Sequence, residues 1–318
     1  MTEAVIGVDI GGTNTLYGIA DRQGTILGEG RLSTVAYPLI DDFLGALHDA
    51  VSSLVAAKKD LIIKGIGIGA PNANFHKGTI ELAPNLAWKG IVPLADLVEK
   101  KLGYQVAVTN DANAAAIGEM IFGAARDIKD FIIFTLGTGV GSGIVINGEV
   151  VYGHTGFAGE LGHMIIVPGG RECGCGRRGC LETYGSATGI VRTVLQLMCE
   201  ERTESSLREI APADLTSRDI ADAASKNDPL ALKAFDFTAH KLAQGIVNSV
   251  IFSSPRTIFL FGGLAQAGDI LFNPVREYVN RDIQPIFRGT VDILPSGIPE
   301  NNAAVLGAAA LAWKEISY

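Results

Sequence analysis

The sequence is short of charge, of cysteine and of long apolar runs, and each shortage excludes a class of protein. Only 19% of its 318 residues are charged, and an excess of acidic residues gives a formal net charge of −8. That balance does not favour a polyanionic partner, so we expect no nucleic acid. No apolar stretch approaches the roughly 18–20 residues of a membrane span, and no basic signal-peptide segment precedes the first strand-like run. We expect a cytoplasmic protein with no membrane partner.

Apolar residues and glycine, by contrast, are abundant. Hydrophobic residues make up 47% of the chain and 39 residues are glycine, which excludes disorder and suits an α/β enzyme with many tight turns. One pattern occurs twice, in residues 4–32 and 131–152: a strand, a glycine turn, a return strand, a tight turn and a third strand. This repeat predicts two similar α/β lobes with a cleft between them, where ligands tend to bind.

A glycine turn follows the first strand of each repeat. Glycine allows positive φ and lets backbone N–H groups converge on an anion without obstruction by a Cβ atom. Two equivalent turns predict phosphate binding, although ordinary hairpin turns are the alternative for either one alone. Asp9, at the strand end, can hold magnesium through water, because magnesium dehydrates reluctantly. The predicted phosphate-binding residues are Asp9, Gly11, Gly12, Thr13, Gly137, Thr138 and Gly139.

The second turn does not match the motifs of other nucleotide-binding folds. Ser142 interrupts the dinucleotide fingerprint, and the turn opens a strand rather than a helix, which counts against a dehydrogenase. The chain has neither a P-loop nor the protein-kinase motifs. Without a P-loop lysine, backbone amides and a metal ion must neutralise the phosphates.

A candidate catalytic base lies where a strand meets an alanine-rich helix, in the segment 109–113. Transfer of a phosphoryl group to a hydroxyl needs a carboxylate that accepts the proton and orients the oxygen. Asp111, at the C-terminal end of the strand, is suited to that role. The alternative is that Asp111 is the N-cap of the helix.

Three of the four cysteines lie close together, which in a cytoplasmic protein indicates metal binding before disulfides. Cys173, Cys175 and Cys180, together with His163, supply the four ligands of a tetrahedral zinc site; reduced cysteines without a metal are the alternative. Four protein ligands leave no open position, so the predicted zinc is structural. It would pin the loop 159–182 and stabilise the local fold.

The pinned loop carries two acids, Glu160 and Glu182, which become candidate acceptors for sugar hydroxyls. Each alone can be a solvated acid, and Glu182 precedes a helix, where an acidic residue is favoured anyway. Asn85 is a further polar candidate in a loop, whereas nearby Trp88 is expected in the core. Cys199 lies in an apolar helical context and is expected to be a small core residue.

The order of these motifs resembles the ROK (repressor, ORF, kinase) family of sugar kinases, and within it the bacterial glucokinases. The resemblance covers essentially the whole chain, and its cysteine-rich part is highly specific. The segments that carry it are Asp9–Thr13, Leu136–Gly141, Glu160–His163 and Cys173–Glu182.

The resemblance implies an α/β, actin-like (ribonuclease-H-like) fold of two lobes. The implied small lobe is 1–115 with 300–318, and the implied large lobe is 116–299, which contains the zinc-binding loop. It further implies ATP- and magnesium-dependent phosphorylation of a hexose at the 6-hydroxyl, above all glucose to glucose 6-phosphate. A homodimer or homotetramer is the assembly that the resemblance implies.

The resemblance also assigns roles to residues. Asp111 would be the general base, and Gly262 and Gly263 would lie near the nucleoside. His163 would contact the sugar as well as zinc. Together with the loop residue noted above, the candidate substrate contacts are Asn85, Asn110, Asp111, Glu160, His163 and Glu182.

Other functions stay open at this point. The hexose can be N-acetylmannosamine, N-acetylglucosamine, fructose, mannose or allose, because a few hydrogen bonds to individual hydroxyls decide specificity. A non-catalytic sugar-sensing regulator is a second class. Repressors of the family carry an N-terminal helix-turn-helix, for which a first strand at residue 4 leaves no room. A zinc-ribbon interaction module is the remaining alternative.

Overall fold

The computed structural model describes residues 2–58 and 60–316, with only the backbone of residues 300 and 301. The strands are β1 (Thr2–Ile10), β2 (Asn14–Asp21), β3 (Ile26–Ser33), β4 (Leu61–Gly69), β5 (Ala73–Asn74), β6 (Thr79–Glu81), β7 (Ile91–Val92), β8 (Val106–Thr109), β9 (Phe131–Leu136), β10 (Val140–Ile146), β11 (Glu149–Val150), β12 (Thr257–Phe261) and β13 (Asp292–Pro295). The α-helices are α1 (Ile40–Ala56), α2 (Leu94–Leu102), α3 (Asp111–Ile121), α4 (Glu182–Gly185), α5 (Ala187–Glu200), α6 (Ser217–Ser225), α7 (Pro229–Ser253), α8 (Asp269–Asp282) and α9 (Glu300–Glu315).

The chain divides into two compact units. The first unit comprises Met1–Lys129, Gly143–Ala158 and Ser296–Tyr318, and the second comprises Asp130–Ser142 and Gly159–Pro295. All of α3 belongs to the first unit, where it packs closely on α9: a Cβ at Gly118 would lie 2.9 Å from the Cα of Gly307. The lobe boundaries expected at 115/116 and 299/300 stay a prediction.

The first unit is built on a five-stranded sheet with the order β3-β2-β1-β4-β8. Strands β1, β2 and β3 form an antiparallel meander, and β4 and β8 extend it in parallel with β1. Helix α9 lies against this sheet, because Gly7 and Gly67 lack side chains: a Cβ at Gly67 would lie 1.9 Å from the carbonyl oxygen of Ala308. On α1, Phe43, Leu47 and Val51 are buried at helical spacing.

The second sheet has the order β11-β10-β9-β12-β13, with β12 parallel to both of its neighbours. This order matches that of the first sheet position by position, so the predicted repeat extends to the two parallel strands after each meander. The tight turn between β10 and β11 is Asn147-Gly148, and both residues have positive φ, as such a hairpin requires. In the second unit, Asp228 caps the 25-residue α7, and Pro229 occupies its first turn.

Most predicted elements occur where the sequence places them, and the α/β fold of two similar units is confirmed. Two predictions were wrong in detail. The glycine-rich sequence predicts a turn over 137–143, but the turn ends at Gly139 because β10 begins at Val140. The sequence pattern predicts a single helix over 183–199, but the structure has two helices, because Ser186 is extended (φ −94°, ψ 171°) and its hydroxyl caps α5 by accepting from the N–H of Gly189.

Within the described residues, no helix is both long and apolar enough to cross a membrane.

Candidate active site

Three parallel strands of the first sheet end at one edge, and two acids lie there. Asp9 pairs with Gly69 at the end of β4, and Gly69 pairs with Thr109 at the end of β8. Asp111 follows two residues later. A Cβ at Gly69 would lie 3.4 Å from Oδ1 of Asp9 and 3.7 Å from the Cα of Asp111, so the two acids lie on either side of this glycine.

Helix α3 is capped by Asn110 and not by Asp111. Oδ1 of Asn110 accepts a hydrogen bond from the N–H of Ala112 at 2.8 Å, and Asn110 has the extended backbone of an N-cap. The capping alternative for Asp111 was therefore wrong. Asp111 is the first helical residue, and its side chain is exposed, although Oδ1 also accepts from Ala112 at 2.8 Å. A ligand can reach this carboxylate.

The two acids have perturbed proton affinities. Burial raises the pKa of Asp9 to about 7, and the neighbouring Asp111 carboxylate contributes to this rise. Desolvation by the surrounding protein also raises the pKa of Asp111. The hydrogen bond from the N–H of Ala112 lowers this pKa but does not cancel the rise. Because the Asp111 side chain is exposed, water limits this rise. A carboxylate with a raised pKa is a better proton acceptor near neutral pH.

The first glycine turn is closed by a hydrogen bond from the N–H of Gly11 to the carbonyl oxygen of Asn14 at 2.9 Å. Neither Gly11 nor Gly12 has positive φ, so the expected left-handed backbone was wrong here. Space is the reason for glycine instead: a Cβ at Gly12 would lie 2.8 Å from the carbonyl oxygen of Asn85. The loop that carries Asn85, whose side chain is exposed, thus packs on this turn beside the exposed Thr13.

The second glycine turn lies at the end of β9, next to the end of β12. Gly137 and Gly139 also lack positive φ, which corrects the same expectation. Gly262 does have positive φ, 99°, and a Cβ there would lie 2.9 Å from the carbonyl oxygen of Leu136. Gly262 and Gly263 therefore lie at the same sheet edge as the turn.

The four predicted metal ligands come together in the second unit. The ligand atoms of His163, Cys173, Cys175 and Cys180 all lie within 4.8 Å of one another. Nδ1 of His163 is 3.6 Å from Sγ of Cys173, and Sγ of Cys175 is 3.7 Å from Sγ of Cys180. Tetrahedral zinc with Zn–S bonds of about 2.3 Å places its sulfur ligands about 3.8 Å apart. The donor set and its spacing fit a structural zinc ion.

One thiol of the cluster, that of Cys175, has a lowered pKa. Burial opposes ionisation of Cys175, but the backbone N–H and the guanidinium of Arg177 lower its pKa to about 6. Burial raises the pKa of Cys173. Because zinc binds thiolates, a ligand that ionises readily next to an arginine favours metal uptake at neutral pH.

The two nitrogens of His163 face different groups. Nδ1 faces the cysteine cluster, whereas Nε2 is 3.9 Å from Oε2 of Glu160, whose side chain is exposed. This arrangement allows His163 to bind a metal through Nδ1 and to donate to a ligand through Nε2. It accommodates both roles expected for this residue.

Glu182 has contacts that the sequence did not indicate. It is the first residue of α4, and Oε2 accepts a hydrogen bond from the N–H of Val140, directly after the second glycine turn, at 3.1 Å. Oε1 is 3.5 Å from Sγ of Cys173. No sequence motif links an acid of the cysteine-rich loop to a turn about forty positions earlier, so only the tertiary structure reveals this link.

Two side chains outside the site also test the sequence analysis. Trp88 is buried, and its ring lies 4.6 Å from that of Phe43, as expected for a core residue. Cys199 is exposed near the end of α5, so the expectation of a core position was wrong. An apolar stretch of helix still has one face in solvent, and Cys199 lies on that face.

Comparison with known proteins identifies the family. The sequence model of the ROK family matches residues 5–315. The chain belongs to the ROK family. A glucokinase of Halalkalibacterium halodurans is 38% identical over 86% of this chain and 84% of its own length. The xylose repressor of Bacillus subtilis is 30% identical over 94% of this chain and 74% of its own length.

Solved structures support the same assignment. The crystal structure of a ROK family glucokinase from Streptomyces griseus, in complex with glucose and AMPPNP, has a TM-score of 0.83 to this chain and 34% sequence identity. The match covers 98% of this chain and 99% of that one. The predicted ROK family and its actin-like fold are confirmed.

Proposed function

We propose that this ROK protein is an ATP-dependent hexose kinase that converts glucose to glucose 6-phosphate. The observation that carries the proposal is the exposed carboxylate of Asp111, two residues after the end of β8, on the sheet edge that also bears Asp9 and the first glycine turn. Curated glucokinases that match most of the chain support this choice over other sugars.

In the proposed reaction Asp111 accepts the proton of the sugar 6-hydroxyl and orients the oxygen toward the γ-phosphate. The N–H groups of the two glycine turns, Gly11–Thr13 and Gly137–Gly139, hold the phosphates as charge develops. Magnesium, when bound near Asp9 through water, would supply the remaining positive charge. Gly262 and Gly263 would lie near the nucleoside.

Recognition of the sugar would use several polar side chains. Carboxylates accept hydrogen bonds from sugar hydroxyls, and amide and imidazole N–H groups can donate hydrogen bonds to those hydroxyls. A site that contains both donors and acceptors can therefore distinguish sugar epimers by the positions of their hydroxyls. The proposed contacts, besides Asp111, are Asn85, Asn110, Glu160, His163 and Glu182.

Zinc, in this proposal, is structural and is bound by His163 and the three clustered cysteines. The cytoplasm is the proposed compartment, because ATP is supplied there and reducing conditions keep these thiols available for the metal. A homodimer or homotetramer stays a prediction from the family resemblance.

The test is Asp111→Ala in a coupled ADP-release assay with glucose and ATP·Mg²⁺. Loss of the base should lower kcat by about 10²- to 10⁴-fold. Asp127→Ala, which removes an exposed acid elsewhere in the first unit, is the matched control and should keep wild-type turnover. Near-normal turnover of a folded Asp111→Ala protein would refute the assignment.

A sugar-sensing regulator is the second candidate, because xylose repressors also match the chain. A panel of glucose, mannose, fructose, allose, N-acetylglucosamine and N-acetylmannosamine separates the possibilities. Fastest turnover of glucose supports the glucokinase. Fastest turnover of another sugar would support a sugar kinase whose substrate is that sugar and not glucose. Sugar binding without sugar-stimulated ADP release supports the regulator.

A further inference from the structure

The carboxylate of Glu182 contacts both the second glycine turn and the cysteine cluster. One oxygen accepts from the N–H of Val140, and the other lies 3.5 Å from Sγ of Cys173. The side chain is half-buried, so these contacts are shielded from competing water. A single side chain thus connects the metal-braced loop to the turn proposed to bind phosphate.

A side chain at Gly139 would collide with this carboxylate. A Cβ at Gly139 would lie 2.2 Å from Oε2 of Glu182 and 3.1 Å from its Cδ, and Gly139 does not have the positive φ that would otherwise demand glycine. Any side chain here must displace Glu182. Gly139 therefore supplies room for an acid of the sugar site as well as a backbone N–H for phosphate.

The residues that follow Glu182 hold the same turn from the same side. The N–H of Ala187 donates to the carbonyl oxygen of Gly137 at 2.8 Å, and the hydroxyl of Thr188 donates to the carbonyl oxygen of Thr138 at 2.8 Å. In a trans peptide unit the C=O and N–H point in opposite directions. Since both carbonyls face α5, the N–H groups of Thr138 and Gly139 face the opposite side, where an anion can approach.

We propose that Glu182 is a positioning residue for the phosphate-binding turn and couples hexose binding to nucleotide binding. This inference rests on the proposed hexose kinase function. An ionised carboxylate has about four lone-pair sites, so Glu182 can accept from a sugar hydroxyl while it retains the N–H of Val140. A bound hexose would fix the carboxylate, and the carboxylate fixes the turn. Binding energies coupled in this way are reciprocal.

The test changes a residue of one site and measures ligand binding at the other. Gly139→Ala substitutes a residue of the phosphate turn but should weaken glucose binding about 3- to 10-fold, measured by calorimetry without nucleotide, because the new Cβ displaces the carboxylate of Glu182. Glu182→Ala substitutes a residue of the proposed sugar site but should weaken AMPPNP binding, measured without sugar, by about 3- to 10-fold, because the turn loses the acceptor for the N–H of Val140. Glu182→Gln retains an acceptor for Val140 and should recover much of the AMPPNP affinity.

Gly174→Ala is the control for Gly139→Ala. Gly174 lies in the cysteine-rich loop, is no ligand and has no positive φ, and a Cβ there would meet no described atom within 4 Å. It should bind glucose and AMPPNP like the wild type, and bound zinc should be equal in all variants.

The double variant Gly139→Ala/Glu182→Asp provides a second, independent readout. The shorter acid withdraws from the new Cβ, so glucose should bind this protein no more weakly than it binds Gly139→Ala, whereas independent effects would add. Wild-type AMPPNP affinity in Glu182→Ala would overturn the inference, even if Gly139→Ala failed to fold. Failure of the wild type to phosphorylate any hexose would instead refute the proposed function, and the effect of Glu182→Ala on AMPPNP would still be measurable.

Discussion

The two glycine turns occupy the same place in the repeated unit, but the side chains around them differ. Asp9 is the penultimate residue of β1, whereas Thr135 is the penultimate residue of β9. The first turn packs on the backbone of Asn85, and the second packs on the carboxylate of Glu182. The repeat preserves the backbone arrangement, but the partners differ: Asp9 and the Asn85 loop lie beside the first turn, and an acid of the loop that carries the four candidate metal ligands lies against the second.

Of the changes to either turn, removal of zinc should have the largest effect, because Glu182 links the second turn to the cysteine cluster. Cys180→Ser removes a fully buried ligand, and structural zinc sites contribute folding energy directly. We expect wild-type protein to hold one zinc per chain by elemental analysis, and the variant to lose zinc, glucose binding and most turnover.

The exposed Cys199 supplies the control for that experiment. Cys199→Ser removes a thiol outside the cluster and should retain zinc and activity. Full glucose phosphorylation by a protein shown to be free of zinc would contradict the structural role of the metal. Retention of zinc by Cys180→Ser would contradict the ligand assignment.

The acid of the first turn should matter far more than the hydroxyl at the equivalent position of the second. Asp9→Asn removes the charge proposed to hold magnesium and should lower kcat about 100-fold or more, as expected for loss of one preorganised electrostatic group. Thr135→Val removes the equivalent hydroxyl and should leave kcat near the wild-type value. Equal losses in both variants, measured at saturating ATP and glucose, would show that the two turns share the same chemistry.

The sequence predicted the sheets better than the helices. The short apolar runs 131–136 and 257–261, each followed by a glycine, predict strands, and β9 and β12 occupy these residues. Helix α6 was not predicted, although Thr216 and Asp219 form a capping box in its sequence. Helix α8 was not predicted either, because Pro274 interrupts its helical pattern.

Within the site, residues with a recognisable motif could be predicted and tertiary contacts could not. The four metal ligands could be predicted because their residue types and spacing are typical of a tetrahedral zinc site, and the structure brings them together. The capping alternative was placed on Asp111, whereas the preceding residue Asn110, which is also a good capping residue, caps α3. Contacts of Glu182 and Thr188 with the second turn depend on folding and leave no pattern in the sequence.

The raised pKa of Asp9 predicts a stability that falls as pH rises. Its ordinary pKa is 3.8 and its folded value is about 7, so between these values the folded protein retains a proton that the unfolded chain has released. Stability falls with pH wherever the folded state binds more protons. We expect the free energy of unfolding of the wild type to fall between pH 5 and 8 by on the order of 1–3 kcal/mol more than that of Asp9→Asn. Urea unfolding without magnesium or nucleotide measures both proteins. Parallel pH profiles would show that Asp9 does not titrate in this range.

The smallest expected effect compares glycines of the two turns. In Gly12→Ala the new Cβ meets a backbone oxygen of Asn85 at 2.8 Å, which cannot rotate away, so we expect destabilisation of about 1–3 kcal/mol and a higher KM for ATP. In Gly137→Ala no described atom lies within 4 Å of the new Cβ, and the change in stability should be smaller. Thermal unfolding and KM for ATP measure both variants. Neither glycine has positive φ, so the two variants differ mainly in the contact of the new Cβ with Asn85. Equal destabilisation of both variants would mean that this contact is not the reason for glycine in the first turn.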